Sequence, residues 1–293
     1  MRWFHEGVDR LHVALARLLL PPVFRHGTAS PPLAEHLAAV AYELPPLTAA
    51  GRHTLVVQSL VGPLSAGFRV RLAAQRSAPV VVYHHGIAEM PYDKSFRGIF
   101  RPRHPIAAHL VAVRAPFHRS WRELIPGLAT LGNFLAMCAV ALRLGEAVRA
   151  ALVAAGARGS LVAGTSLGGF LTLLHHLFWG TADAYVPLLA GPDLAHVLLA
   201  THYRRLLAPH ARADHIRSRL DFRQAFLASN PQRVFPLLAR YDCDMDYAYQ
   251  AACYAAAGVP VTTIDRGHLT GALAFAALRS HLQRCLQRLW AAA

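Results

Sequence analysis

Between residues 159 and 179 the chain reads GSLVAGTSLGGFLTLLHHLFW, an apolar run that enters a knot of glycines around one serine and leaves directly as a leucine-rich stretch. No loop-forming residues separate the two patterns, so a strand must pass into a helix through a very tight turn. Such a turn favours glycine on both sides of the serine, because a Cβ there would collide with neighbouring backbone. Gly164-Thr165-Ser166-Leu167-Gly168 thus predicts Ser166 at the head of a strand, either as a nucleophile or as an incidental residue of a structural turn.

The flanking sequence supplies more strands and helices. HTLVVQSL (53–60), FRVRLAA (68–74) and APVVVYHHG (78–86) read as strands, the first two antiparallel and the third apolar throughout, as a strand covered on both faces is. A strand at 109–117, a helix at 133–156, a strand at 159–166, a helix at 167–179 and a strand at 183–191 then alternate. That rhythm predicts an α/β fold with a mostly parallel central sheet between helices. Residues 193–232 interrupt it with a helical, arginine- and histidine-rich stretch that reads as an inserted cap. Strands at 233–242 and 259–265 and helices at 247–258 and 271–290 resume it. The expected organisation is an N-terminal helical extension over 1–48 and an α/β domain over 49–293, with the cap at about 193–232.

At 293 residues and 54% hydrophobic content the chain can bury one large core. Its net charge of +14 raises nucleic acid as a partner, but the arginines are scattered, Lys94 is the only lysine, and no nucleic-acid-binding signature interleaves with them. Nucleic-acid binding is not expected. Cys138, Cys243, Cys253 and Cys285 show no paired spacing and read as free thiols of a cytoplasmic protein, not as a zinc ribbon or a disulfide scaffold. The N-terminal apolar run is shorter than the roughly 20 residues of a membrane span, and Glu6 and Asp9 stand where a signal peptide would be basic. As a helix it is amphipathic, with Leu11, Leu15, Leu18 and Leu19 on one face. It is expected to dock on the domain surface, with weak interfacial membrane contact as the alternative.

A serine hydroxyl becomes a nucleophile only with a base in reach and a group that orients the base. His268, in TIDRGHLTG after the last expected strand, is the candidate base. LLARYDCDMDY offers the acid at the end of the preceding strand, where Asp242 comes first; Asp244, and Asp193 after an earlier strand, stay open. Backbone N–H groups of Leu167 and of Ile87, in YHHGIAEMP, are placed to hold an oxyanion, with His85 and Gly86 bringing the backbone to the substrate. His84, His85 and Glu89 make a poor metal-ligand set, and no metal is expected. Tyr92 or Phe96, in EMPYDKSF, either touches an acyl chain at the entrance or belongs to an ordinary surface loop. In the cap, Arg204, Arg205, Arg212, Arg217 and Arg219 beside His202, His210 and His215 read as a solvated face, or as a grip for an anionic acyl group where they meet the cleft.

The His85-Gly86 loop, the turn at 164–168, Asp242, and His268 in Gly-His occur in an order that resembles the α/β-hydrolase superfamily of serine hydrolases over about residues 50–290. The resemblance implies a core sheet of about eight strands, a cap over the site, and Ser-His-Asp chemistry without a cofactor. The implied reaction is hydrolysis of a small-molecule carboxylic ester through an acyl-enzyme, as in esterases and lipases. The same residues would serve an acyltransferase, a lactonase or a peptidase, and a silent member of the fold would bind an acyl ligand or a partner. One departure is plain: the loop after the third strand lacks the glycine run of the HGGG type.

Overall fold

In the computed structural model, which describes residues 1–290, the chain opens with α1 (Arg2–Leu19) and α2 (Leu33–Ala38). Strands β1 (Gly51–Val57), β2 (Leu64–Arg71) and β3 (Val80–His84) follow, then α3 (Lys94–Ile99), β4 (His109–Arg114), α4 (Trp121–Gly127) and α5 (Leu131–Ala154). The serine turn lies between β5 (Ser160–Thr165) and α6 (Leu167–Phe178). From β6 (Ala184–Leu188) the chain passes through α7 (Leu194–Ala200), α8 (Ala213–Leu220) and α9 (Arg223–Ala228). It returns as β7 (Leu237–Ala239), α10 (Tyr247–Ala256), β8 (Thr262–Ile264), α11 (His268–Ala272) and α12 (Phe275–Trp290). The last three residues of the expected 49–293 range lie outside the described residues.

The strands form one eight-stranded sheet in the order β1-β2-β4-β3-β5-β6-β7-β8. β1 and β2 pair antiparallel, as do β2 and β4, and the remaining neighbours are parallel. Every residue of β3, β4, β5 and β6 is buried, which is why these strands read as unbroken apolar runs. The two-residue strand period divides them between two cores: Val80 and Val82 face one cluster with Val111, Leu142 and Phe170, while Val81 and Tyr83 face another with Phe96, Leu161 and Leu282. After β3 the chain places β4 on one side and β5 on the other, so the winding reverses at β3. A cleft therefore opens at the carboxyl ends of β3 and β5.

Several expectations shift. The runs 233–242 and 259–265 each contribute only three residues to the sheet, and Pro236 and Pro260, which have no N–H to donate, sit immediately before the short paired segments or within the run. The final helix is divided, with α11 starting early at His268. α1 docks on the domain through the face away from its leucines: His5, Asp9 and Val13 are buried while Leu11, Leu15, Leu18 and Leu19 are exposed. The reason is hydrogen bonding, which the polar face can offer the histidine loop and the leucines cannot.

Candidate active site

Ser166 sits between β5 and α6 with φ 58° and ψ −119°, a strained conformation for a non-glycine residue that costs about 1–3 kcal/mol. The surroundings hold it: its N–H donates to the Leu188 carbonyl at 2.9 Å, and its own carbonyl accepts from Phe170 N–H at 3.1 Å. A Cβ at position 168 would overlap the His84 carbonyl oxygen, so the glycine is a steric requirement of packing α6 against β3.

His268 is the first residue of α11, just beyond β8. Its Nε2 lies 3.0 Å from Ser166 Oγ and its Nδ1 2.7 Å from Asp242 Oδ2, across 102 and 26 residues of sequence. In the neutral ring Nδ1–H donates to the carboxylate, which leaves Nε2 as the acceptor facing the serine hydroxyl. Asp242, after β7, is itself fixed because its other oxygen accepts from the N–H groups of Asp244 (3.0 Å) and Met245 (2.8 Å). The two other acids that the sequence left open go elsewhere. Asp193 caps α7 by accepting from His196 N–H at 2.8 Å, and it also takes the Tyr249 hydroxyl. Asp244 is fully buried without a hydrogen-bond partner, its Oδ2 4.0 Å from His12 Nδ1. Burial opposes a charged imidazole, but Asp242, and then Asp244 and Asp9, outweigh it and raise the His268 pKa to about 9.

The histidine is also held from the far end of the chain. Asp9, on α1, accepts from the N–H groups of His268 (2.7 Å) and Leu269 (3.0 Å), donors that α11 leaves without intrahelical partners. Burial pushes the Asp9 carboxyl up to about 6, against the pull of those two N–H groups. His5 Nδ1 meets Thr270 Oγ1 at 2.9 Å one turn further along. A Cβ at Gly267 would stand 2.7 Å from Asp9 Oδ2 and 2.9 Å from the His5 carbonyl, so the glycine before His268 is what lets α1 approach.

On the other side of Ser166, Leu167 begins α6 and has no intrahelical acceptor for its N–H. Gly86 passes so close that an added Cβ would lie 3.5 Å from Ser166 Cβ, which brings the Ile87 peptide alongside the serine. Glu89, half-buried in the turn, accepts from Gly86 N–H and Ser95 N–H, both at 2.9 Å, and His118 Nε2 lies 3.0 Å from the Ile87 carbonyl.

No family model matches the sequence, and no curated protein matches it. Solved structures do. The Pyrococcus horikoshii acylaminoacyl peptidase superposes with a TM-score of 0.53 at 14% identity, over 75% of this chain and 38% of that one. Est1E from Butyrivibrio proteoclasticus gives 0.54 at 12% identity, over 85% and 99% of the two chains. Brefeldin A esterase, a bacterial homologue of human hormone-sensitive lipase, gives 0.51 at 18%, over 89% and 87%. This chain has the α/β-hydrolase fold. It spans about two fifths of the length of the peptidase.

Within this α/β-hydrolase fold, Ser166, Leu167 and Ile87 all line a cavity of about 660 Å³. Its walls are mostly apolar and come from distant segments: Leu15 and Leu19 of α1, Ile125 of α4, Phe134 of α5, Val197 of α7 and Leu207 beyond it. His85 and Tyr92, expected to touch substrate, do not line it. His85 is buried, accepts from Ala115 N–H at 3.2 Å through Nε2 and donates to the Gly86 carbonyl at 2.9 Å through Nδ1, while Tyr92 packs on its ring edge. Phe96 is fully buried beside Tyr83. His85 stands just beyond β3, Tyr92 in the turn that follows and Phe96 on α3, and all three pack behind the loop, outside the cavity lining.

Of the cap arginines, only Arg205 reaches the cavity. Arg212 pairs with Asp214 at 2.6 Å, Arg219 donates to the Ser30 carbonyl at 2.8 Å, and His215 meets Thr28 Oγ1 at 3.3 Å. Much of the basic insertion therefore fastens the N-terminal segment. Asp9, Glu89 and His118 escaped the sequence reading. Asp9 carried a faint signal, since His5, Asp9 and Val13 recur every four residues opposite the leucines.

Proposed function

We propose that this protein is a serine hydrolase that cleaves the carboxylic ester of a small-molecule acyl substrate. The observation that carries the reading is the hydrogen-bonded line from Ser166 Oγ through His268 to Asp242, with its serine end opening into the apolar cavity. The acyl chain would occupy that cavity, where its burial needs no polar partner. Ser166 Oγ attacks the acyl carbon as His268 Nε2 takes its proton, and the Leu167 and Ile87 N–H groups receive the charge that develops on the carbonyl oxygen. His268 returns the proton to the leaving alcohol, then draws one from water as it attacks the acyl-enzyme, and gives that proton to Ser166 Oγ as the acyl–Oγ bond breaks and the acid leaves. Asp242 holds the imidazole in the tautomer these steps require. None of them calls for a cofactor.

A fluorophosphonate probe tests the nucleophile: the folded protein should label and Ser166→Ala should not. Equal labelling of the two, or none of the folded parent, overturns the assignment. Paired p-nitrophenyl esters and anilides of one acyl group then test the bond. The ester should turn over at least about 100-fold faster in kcat/KM, a factor that corresponds to about 2.7 kcal/mol of differential transition-state stabilisation. Preference for the anilide would make the protein a peptidase, and transfer to an added alcohol in place of water would make it an acyltransferase.

A further inference from the structure

Amphipathic helices on a protein surface usually bury their apolar stripe and hydrate the polar one. α1 does the reverse. Trp3 is 78% exposed, Leu11 60%, Leu18 81% and Leu19 77%, and Phe4, Leu11, Leu15 and Leu18, at spacings of seven, four and three, share one side of the helix. The opposite side is pinned: turning the leucines inward would strip the His268 and Leu269 N–H groups of Asp9 and separate His5 from Thr270. The apolar face is thus held outward by the bonds that position the histidine.

That face runs into the mouth of the cavity. Leu15 and Leu19 belong to both, and Trp121, 47% exposed, lines the cavity beside them. The cations lie around the same region. Arg2, Arg10 and Arg17 are exposed on α1, and Arg17, Arg122 and Arg205 line the cavity, within a chain of net charge +14. The single exposed-side acid of α1, Glu6, is already paired with Arg2 and Arg10.

From the outward apolar face, its arginine flank and its continuity with the cavity, we infer that α1 seats this protein on an anionic lipid surface, with the cavity mouth against the lipid. Charge selects this occupant. A second copy would bring one strongly positive surface against another. An acidic protein would cover the mouth, whereas a lipid surface covers the leucines and at the same time presents acyl chains to the cavity. Aromatic and leucine side chains on one face with arginines at its edge are the composition of a helix that lies in a membrane interface. Among the described residues no single helix is long and apolar enough to cross a membrane, so the contact is at the surface. The delivery of acyl substrate rests on the function proposed above; the docking does not.

The test is co-sedimentation of the full chain with vesicles of phosphatidylcholine, alone or mixed with phosphatidylglycerol, at low and high salt. The parent and Ser166→Ala should bind the mixed vesicles at least about 10-fold more tightly than the neutral ones, and lose that excess at high salt. Trp3→Gln with Leu11→Gln and Leu18→Gln should lower binding by about 10- to 100-fold while keeping the parent's melting temperature and its hydrolysis of a water-soluble p-nitrophenyl ester. Failure of the parent to bind either vesicle overturns the inference. So does size-exclusion evidence of a dimer that the three substitutions dissociate, since a second copy would then be the occupant. Vesicle binding without fluorophosphonate labelling would sink the proposed hydrolase and leave the docking intact.

Discussion

Two loops flank Ser166, and they are held in different ways. The Ile87 loop is braced from nearby in sequence: Glu89 takes the N–H groups of Gly86 and Ser95, and His118 reaches the Ile87 carbonyl from 31 residues away. The His268 loop is braced from the far end of the chain, by Asp9 across 259 residues. A loop that folds on itself keeps its shape as long as the local turn survives. A loop clamped by α1 keeps its shape only while α1 is docked, which ties the proposed base, His268, to the helix with the outward apolar face. The two sides of Ser166 therefore differ in what can disturb them.

The largest effect should come where the histidine loop meets its acid. Asp242→Asn leaves the fold but presents the wrong tautomer to Ser166, and kcat/KM for a soluble p-nitrophenyl ester should fall about 10⁴-fold. Asp193→Asn, remote from His268, should leave acylation within about 3-fold of the parent; a large loss there would displace Asp242 from its role.

Removal of the distant brace comes next. Asp9→Ala takes the acceptor from His268 N–H and Leu269 N–H, and a displacement of the imidazole by about 1 Å should lower kcat about 100-fold. The acid limb of its pH profile should also move, because Asp9 is one of the charges that raise the His268 pKa. Glu89→Gln removes one acceptor from the local brace and should cost about 10-fold in kcat with no movement of the profile, since no titrating base is displaced. Equal shifts in both variants would mean that the loops are not independent.

The smallest effect concerns charge alone. Because the folded pKa of His268 is raised from 6.5 to about 9, the protonated ring stabilises the fold fully below pH 6.5, and that contribution is lost as pH rises through about 9. Catalysis needs the neutral ring, so kcat/KM should climb over the same interval in which the melting temperature falls. Asp244→Asn removes a buried carboxylate with no hydrogen-bond partner and should move the limb down by about one pH unit. An unmoved limb would show that Asp244 exerts no field on His268.

Much of this was legible along the chain, and the reason is local. Strands buried on both faces must be continuous apolar runs, so 78–86 and 159–166 declared themselves, and the glycines around Ser166 follow from sterics within the turn and against β3. The order of Ser166, Asp242 and His268 followed from the superfamily resemblance, and they lie just beyond β5, β7 and β8. The choice among Asp242, Asp244 and Asp193 did not, because three carboxylates in polar loops look alike until backbone N–H groups and partners are assigned. His85 and Tyr92 lie outside the cavity lining, which a loop's composition could not say, since it does not show which side faces the cleft.

α1 marks the limit most clearly. Periodicity marked the N-terminal run as an amphipathic helix but did not say which face would meet the domain, and in the fold His5, Asp9 and Val13 are buried while the leucines stay exposed. Orientation is set by the free energy of the whole contact, and here two orphan N–H groups at the start of α11 and a hydroxyl at Thr270 found their partners in Asp9 and His5. Sequence alone determined the buried strands and the helix around Ser166 and which residues carry reactive groups, because those depend on neighbours a few positions apart. Which carboxylate serves the histidine and which face of α1 meets solvent depend on atoms brought together from opposite ends of the chain, and only folding supplies those.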